Sequence, residues 1–306
     1  MDDSQLQRER MVQRQIAARG VRDPYTLEAM RRIPREEFVA WPLREFAYED
    51  APLPIEAGQT ISQPYIVALM IAEAQVRPGD RVLEIGAGSG YAAAVMAAIA
   101  AQVYAIERVP ELATLARDRF ARLGYDNIEV LTGDGTLGWP DAAPFDAILA
   151  AAGGPDVPDV LLRQLAPGGR LVMPIGSSRD NQRLVLVTRT SMNRFVRKEL
   201  GAVRFVPLIG EHGWRDDTPV TMAAVAEACA LDLLFGRDAD VDRAADLAWL
   251  GGGNSAHRFS GSSGGSSGGA RPSVSITVAS GARSSGECAR SESSCIWTIS
   301  EPAIPR

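Results

Sequence analysis

The chain has 306 residues, of which 46% are hydrophobic and 23% charged, and its formal net charge is −6. These values are typical of a globular protein with a sizeable core, and they disfavour non-specific nucleic-acid binding, which needs a basic surface. No apolar run approaches the roughly 18 residues of a membrane span, and the polar N-terminus is unlike a secretory signal. The three cysteines all come after residue 228. We therefore expect the preceding residues to fold without disulfides, as in a reducing cytoplasm.

Helices and a proline-rich loop are predicted ahead of the main domain. Asp23-Pro24 and Gln63-Pro64 each place a proline in the first turn of a helix, after a residue suited to precede it. Four prolines make the intervening stretch loop-like. The predicted segments are helices at 4–19, 24–32 and 64–75 and a loop at 41–64.

Strand and helix signals then alternate, which predicts a parallel sheet covered by helices on both faces. The predicted strands are 81–85, 102–106, 128–131, 145–151 and 170–174, the helices are 91–100, 110–123 and 157–165, and 166–169 is a turn. Two further strands, 183–190 and 195–206, are joined by a short polar turn and predict an antiparallel hairpin. The sequence thus indicates a doubly wound, mostly parallel seven-stranded sheet, Rossmann-like, that ends in an antiparallel pair. That combination is typical of class I methyltransferases.

A glycine-rich segment, EIGAGSGY at 84–91, follows the first of these strands and opens a helix. Glycines at such a turn let the backbone approach a ligand closely, although a tight turn alone would also explain them. The dinucleotide fingerprint requires a glycine where Tyr91 stands. The observed G-x-G-x-G spacing, with Glu84 two residues before it, favours S-adenosylmethionine, whose ammonium group needs an acceptor.

Acidic residues also follow the next two strands. Glu107 comes about 20 residues after the glycines, where a carboxylate can accept both ribose hydroxyls. Asp134, between Gly133 and Gly135, closes the third strand, where it can reach the adenine amino group. Each residue alone could be a solvated strand end or an ordinary turn. Together with Glu84 they predict a nucleoside pocket.

Eight blocks of the sequence resemble the protein-L-isoaspartate O-methyltransferase family, in family order over about residues 5 to 210. The blocks are PREEFV (34–39), LPIEAGQTISQPYIVA (53–68), RVLEIGAGSGY (81–91), YAIER (104–108), GDG (133–135), PFDAI (144–148), LAPGGRLVMPIG (165–176) and VRFVPL (203–208). GQTISQP and RFVPL are much more specific to this family than the glycine-rich segment. By itself, Ser62-Gln63-Pro64 would be only an N-cap and a first-turn proline.

The resemblance implies residue roles. It makes Ser62 the catalytic serine. The implied cofactor-binding residues are Thr60, Ile61, Ser62, Glu84, Gly86, Ala87, Gly88, Gly90, Glu107, Arg108, Asp134 and Gly135. The implied substrate-binding residues are Ile55, Gln59, Val206, Pro207 and Leu208.

The resemblance also implies a reaction. S-Adenosylmethionine would methylate the free α-carboxylate of L-isoaspartyl residues in damaged proteins and peptides, leaving S-adenosylhomocysteine and initiating repair through a succinimide. The acceptor carboxylate is ionised at pH 7, so no general base is required. Ser62 would orient that carboxylate rather than act as a covalent nucleophile.

Other functions are weaker interpretations of the same residues. A serine hydrolase needs a base near Ser62, yet the only histidines are His212 and His257 and no G-x-S-x-G motif surrounds the serine. Two histidines without clustered cysteines also predict no metal site. Tyr91 and the terminal strand pair disfavour a dehydrogenase. A methyltransferase for another substrate and an inactive cofactor-fold binding module stay open.

We expect three regions along the chain. Residues 1–214 form the methyltransferase domain, with N-terminal helices and the substrate loop in 1–75 and the cofactor-binding sheet in 76–214. Residues 215–250 have a helical pattern. In 251–306, 25 of 56 residues are Ser or Gly, a linker composition that predicts poor order, although this tail could also be a remnant of another domain. The expected partners are isoaspartyl proteins and peptides, without nucleic acid or membrane, and a monomer is favoured.

Overall fold

The computed structural model describes residues 3–192 and 194–215. The predicted helical extension beyond Arg215 and the predicted Ser/Gly-rich tail lie outside these residues, as does Asn193 in the predicted hairpin turn. Within the described ranges, no helix is long and apolar enough to cross a membrane.

The described residues include six α-helices, and the prediction placed each of them within a few residues. They are α1 (Asp3–Arg10), α2 (Pro24–Arg32), α3 (Pro64–Ala74), α4 (Tyr91–Ala97), α5 (Pro110–Leu123) and α6 (Asp159–Arg163). The first predicted helix continues past α1 as a π-helical turn and then a 3₁₀ turn, and it ends at Gly20, whose φ is 98°. Asp23 caps α2 as predicted, since its carboxylate accepts hydrogen bonds from the Thr26 amide at 2.9 Å and hydroxyl at 2.7 Å.

Nine strands form two sheets in the same part of the chain. The strands are β1 (Leu53–Pro54), β2 (Thr60–Ile61), β3 (Arg81–Ile85), β4 (Gln102–Glu107), β5 (Ile128–Thr132), β6 (Phe145–Ala150), β7 (Leu165–Ile175), β8 (Gln182–Ser191) and β9 (Arg194–Val203). The main sheet has seven strands in the order β5-β4-β3-β6-β7-β8-β9. Neighbours from β5 to β7 are parallel, whereas β8 is antiparallel to both β7 and β9. The predicted class I methyltransferase fold is therefore confirmed.

Both faces of the sheet are apolar, as a parallel sheet between helices requires. Successive residues of a strand face opposite sides. Val82 and Val103 belong to one buried cluster, together with side chains of α3, α4 and α5. Leu83 and Tyr104 belong to the other cluster, with Leu161 of α6. The parallel registers align the carboxyl ends of β3, β4 and β5, so the loops that follow them lie at one edge of the sheet.

The predicted loop at 41–64 contains local structure. It includes 3₁₀ turns and the short antiparallel pair β1–β2, in which Leu53 pairs with Ile61 and Pro54 with Thr60. The amide of Ile55 donates to the carbonyl of Gln59 at 2.8 Å. These contacts within residues 53–61 give the segment that leads into Ser62 a defined backbone path.

The predicted turn at 166–169 lies inside β7. Leu165 pairs with Phe145 and Arg170 pairs with Ala147, so four residues of β7 stand opposite one residue of β6. The prediction that the strand begins at Arg170 is therefore wrong at its start. Leu165 is fully buried and keeps its place in the sheet, while the Ala-Pro-Gly-Gly sequence forms a bulge.

Gly90 is constrained by both its backbone and its neighbours. Its φ is 87°, and a Cβ there would lie 2.6 Å from Cζ of Phe120 in the core. Gly124 has a similar φ of 76°, but a Cβ there would have no described heavy atom within 4 Å. Alanine substitutions at the two positions therefore separate the cost of backbone strain, which both carry, from the cost of overpacking, which only Gly90→Ala carries.

We expect Gly90→Ala to lower the free energy of unfolding by about 2–4 kcal/mol, because left-handed strain and a core clash add. Gly124→Ala carries the strain alone and should cost about 1–2 kcal/mol. Urea unfolding of both variants measures the difference. Equal losses would contradict the packing of Gly90 against Phe120.

Candidate active site

A cavity of about 220 Å³ opens at the carboxyl ends of β3 and β4. The strand order reverses at β3, which has β4 on one side and β6 on the other. Such a switch point is where open α/β sheets bind ligands. Of the predicted site residues, Gln59, Thr60, Ile61, Ser62, Glu84, Gly86, Ala87, Gly88, Glu107, Arg108, Gly135, Val206, Pro207 and Leu208 line this cavity.

The glycine-rich segment forms the floor of the cavity. Gly86 and Gly88 have φ values of 87° and 51°, which glycine adopts without strain. The amides of Gly86 and Ala87 donate to the Ile106 carbonyl at 2.8 and 3.2 Å. The segment is therefore anchored to the end of β4, and its shape depends on the pairing of β3 with β4.

Glu84 is a buried carboxyl group that lacks a hydrogen-bond partner at one oxygen. The residue is 2% exposed, and its Oε2 makes no hydrogen bond within the described part of the chain. Burial raises the pKa of Glu84 well above its ordinary value, and the nearby Glu107 carboxylate raises it further. A buried acceptor without a donor is costly. A ligand that brings an ammonium group would satisfy it, so this position fits the amino-acid end of S-adenosylmethionine.

Glu107 lies beside it at the end of β4 and is 6% exposed. Its Oε2 accepts from the Gly88 amide and its Oε1 from the Val109 amide, both at 2.9 Å. Each carboxylate oxygen has two lone pairs, so both oxygens can still accept a second hydrogen bond. The arrangement fits a vicinal diol such as that of ribose.

Asp134 does not line the cavity, although the adjacent Gly135 does. Its Oδ1 accepts from the amide and hydroxyl of Thr136 at 2.8 and 2.7 Å, and its Oδ2 accepts from the Glu211 amide at 2.8 Å. Burial alone would raise the pKa of Asp134, but these bonds and the nearby His212 lower it below the ordinary value. The carboxylate thus ties the end of β5 to residues 210–212. Its contact with adenine stays a prediction.

Ile55 and Gly90 also lie outside the cavity lining. Ile55 is buried, and its Cδ1 lies 3.5 Å from the position that a Cβ on Gly88 would take, so it packs beneath the glycine-rich segment. Gly90 contacts Phe120, as described above. In the structure, Ile55 packs against Gly88 and Gly90 packs against Phe120. Their ligand contacts stay predictions.

Ser62 follows β2 and lines the same cavity as Glu84 and Glu107. Its hydroxyl makes no hydrogen bond to the described residues and is available to a ligand. His212 does not line the cavity, and its side chain is 44% exposed. Among the described residues, no three His, Cys, Asp or Glu side chains come together to hold a metal ion.

The segment Val206–Leu208 also lines the cavity. It is held in place by Gln182, a residue that the sequence analysis did not identify. Gln182 is 3% exposed, and its amide exchanges two hydrogen bonds of 2.9 Å with the backbone of Phe205. Gly153 adds two backbone bonds of 2.8 Å, one to Val206 and one to Leu208. A polar residue at the start of an apolar strand was the only sequence signal for Gln182.

Arg179 is a second lining residue that the sequence did not reveal. It lies between β7 and β8, and its guanidinium donates to the Arg215 carbonyl at 2.8 Å. Trp214, next to Arg215, donates from Nε1 to the Gly153 carbonyl at 2.9 Å. Nothing in the local sequence around Arg179 indicates these distant contacts.

Comparisons with known proteins agree with this geometry. Residues 6–213 match the family described as Protein-L-isoaspartate(D-aspartate) O-methyltransferase (PCMT). Protein-L-isoaspartate O-methyltransferase 1 of Rhodopseudomonas palustris (strain HaA2) is 59% identical over 213 residues, which cover 70% of this chain and 87% of that protein. Protein-L-isoaspartate O-methyltransferase 2 of Pelobacter propionicus is 56% identical over 212 residues, which cover 69% of this chain and 94% of that protein.

Solved structures are similar over the same part of the chain. A protein-L-isoaspartate O-methyltransferase superposes with a TM-score of 0.61 at 32% identity, covering 67% of each chain. A Plasmodium falciparum structure of a beta-aspartate methyltransferase (PCMT) in complex with S-adenosyl-L-homocysteine superposes with a TM-score of 0.58 at 26% identity, covering 66% of this chain and 98% of that one. Fold, cavity and sequence agree, and the chain belongs to the protein-L-isoaspartate O-methyltransferase family.

Proposed function

We propose that the cavity at the carboxyl edge of the sheet methylates the free α-carboxylate of L-isoaspartyl residues, with Ser62 orienting that carboxylate. The chain is an S-adenosylmethionine-dependent methyltransferase of this family, and it acts on isoaspartyl residues of damaged proteins and peptides. The observation that carries the residue-level proposal is that Ser62, the acidic pair Glu84 and Glu107, and Val206–Leu208 line one cavity.

The acidic side of the cavity is assigned to the cofactor. S-Adenosylmethionine, when bound, supplies the methyl group on a positively charged sulfonium and is left as S-adenosylhomocysteine. Glu84 would accept a hydrogen bond from the ammonium group, and Glu107 would accept hydrogen bonds from the ribose hydroxyls. The other residues proposed to hold the cofactor are Thr60, Ile61, Gly86, Ala87, Gly88, Gly90, Arg108, Asp134 and Gly135.

The acceptor side needs no base. A free α-carboxylate titrates at about pH 3.3–3.7 and is ionised at neutral pH, which agrees with the lack of a histidine among the described lining residues. The residues therefore act by holding the carboxylate in place and by excluding water. The free hydroxyl of Ser62 donates a hydrogen bond to one carboxylate oxygen and directs the other toward the methyl group.

Val206–Leu208 is proposed to hold the peptide backbone, with Gln59 and Ile55 completing the substrate side. Backbone hydrogen bonds from Gly153 fix Val206 and Leu208, and the side chain of Gln182 fixes the backbone of Phe205 just before them. The peptide therefore meets a preorganised surface, which lowers the entropy cost of binding. Once released, the methyl ester cyclises to a succinimide without the enzyme, and hydrolysis returns part of it to normal aspartate.

Several expectations about partners remain predictions. Isoaspartyl proteins and peptides are the substrates of the family. We also predict that the protein is a monomer, is located in the cytoplasm and has no nucleic-acid or membrane partners.

A pair of matched peptides tests the proposed reaction. One peptide carries isoaspartate and the other aspartate at the same position, and both are incubated with labelled S-adenosylmethionine. We expect base-labile label only on the isoaspartyl peptide. Label on both peptides, or on neither while S-adenosylhomocysteine still binds, would contradict the proposed substrate.

Ser62→Ala tests the role of the hydroxyl. A hydrogen bond to a charged group contributes about 1.5–3 kcal/mol, so we expect turnover of the isoaspartyl peptide to fall about 10- to 100-fold. Ser177→Ala, an exposed serine outside the cavity lining, is the matched control and should leave the rate unchanged. An unchanged rate in Ser62→Ala would remove Ser62 from the mechanism.

A further inference from the structure

Arg179 is the charged side chain on the peptide side of the cavity. Four acidic or basic residues line the cavity among the described residues: Glu84, Glu107, Arg108 and Arg179. The first three lie at the ends of β3 and β4, where the cofactor is proposed to bind. Arg179 lies between β7 and β8, and the side chain of Gln182 links its backbone to that of Phe205, directly before Val206–Leu208. This places Arg179 next to the segment where the peptide, rather than the cofactor, is proposed to bind.

The position of Arg179 is coupled to the peptide-binding wall. Its carbonyl accepts a hydrogen bond of 2.7 Å from Nε2 of Gln182, the buried side chain that also binds the backbone of Phe205. Its guanidinium lies 5.9 Å from the ring centroid of Trp214. Since Gln182 holds both segments, Arg179 keeps a fixed place beside Val206–Leu208.

The charge of Arg179 is not neutralised by any carboxylate among the described residues. Its neighbour Asp180 pairs instead with Arg204 at 2.9 Å. The hydrogen bond from the Arg179 guanidinium goes to a neutral carbonyl, that of Arg215. A guanidinium has five N–H donors, so most of them remain free for a ligand. The whole chain has a net charge of −6, so the positive charge of Arg179 is opposite in sign to the net charge of the protein.

We propose that Arg179 is a specificity-determining residue that binds a second carboxylate of the peptide, distinct from the methyl acceptor. The inference rests on the proposed function and deepens it. Arginine is suited to this role because its planar guanidinium binds carboxylates through two parallel hydrogen bonds. The methyl acceptor is an unsuitable partner, because two donors from a cation would withdraw electron density from the oxygen that must attack. The second carboxylate is an acidic side chain next to the isoaspartate or the C-terminal carboxylate of a short peptide.

The test measures kcat and KM for a set of isoaspartyl peptides. The residue on either side of the isoaspartate is Glu, Gln or Lys, and each peptide is made with a free or an amidated C-terminus. We expect the wild-type enzyme to show a KM about 2- to 5-fold lower for the peptide with the second carboxylate, as partly exposed ion pairs allow. The kcat values should be similar, and added salt should reduce the preference.

Variants of Arg179 test whether this residue causes the lower KM for peptides with a second carboxylate. Arg179→Gln should abolish it, and Arg179→Glu should reverse it in favour of Lys peptides. Arg183→Gln is the matched control, because it removes the same charge from an exposed guanidinium that is already paired with Glu199. This variant should keep the wild-type preference, and all three variants should bind S-adenosylhomocysteine as the wild type does.

The outcomes separate the inference from the proposed function. A preference that persists in Arg179→Gln, or is absent in the wild type, overturns the role of Arg179 while methylation itself continues. An equal fall of kcat for every peptide in Arg179→Gln places the residue on the acceptor carboxylate and also overturns it. No methylation of any isoaspartyl peptide by the wild type overturns the proposed function and the inference with it. A preference that follows the free C-terminus, rather than Glu, identifies the terminal carboxylate as the source.

Discussion

Two carboxyl groups buried side by side are the constraint on which the site depends. Glu84 and Glu107 end adjacent parallel strands, both are almost fully buried, and neither pairs with a described cation. The pKa of Glu84 is raised by burial and by Glu107. Between the unfolded value of about 4.3 and the raised folded value, the folded state holds one more proton. The free energy of unfolding of the ligand-free protein therefore falls as pH rises through that window. A cationic ligand that pairs with the ionised Glu84 restores the lost stability.

The rest of the cavity is arranged around this pair by contacts between distant parts of the chain. Gly88 donates to Glu107, so the glycine-rich segment takes its shape from the end of β4. Asp134 fastens the end of β5 to residues 210–212, and Gln182 fastens the start of β8 to Phe205. The peptide wall is thus attached to the same sheet that supports the acidic pair. Methyl transfer needs this rigidity because acceptor and donor must meet in line.

Local signals in the sequence predicted much of this arrangement. Asp23-Pro24 and Gln63-Pro64 marked helix starts correctly, and apolar runs placed β3, β4 and β6 within one residue at each end. The prediction of Glu84 and Glu107 in one pocket came from their positions at the ends of successive strands, and both residues line the cavity. These features depend on short-range chemistry and on the regular geometry of parallel strands.

The parts that were missed depend on tertiary contacts. Ala-Pro-Gly-Gly at 166–169 has the composition of a turn, yet pairing with β6 on both sides makes it a bulge. The hydrogen bond that the carboxylate of Asp134 accepts from a backbone amide 77 residues away was not predicted either. Gln182 and Arg179 stand next to residues 205–208 and 215 only after the antiparallel strands fold back. No local pattern encodes such pairings.

The central claim is that Glu84 meets the ammonium group of the cofactor. Calorimetric titration with S-adenosylhomocysteine, which retains that group, tests it directly when repeated in buffers of different ionisation enthalpy. Between the ordinary glutamate pKa of about 4.3 and the raised pKa of Glu84 in the free protein, the cation should lower that raised pKa, so binding should release a proton from the wild type. Glu84→Gln should bind about 10- to 100-fold more weakly and without that proton release, while the exposed control Glu129→Gln should behave as the wild type. Equal affinity and equal proton release in Glu84→Gln would contradict the account.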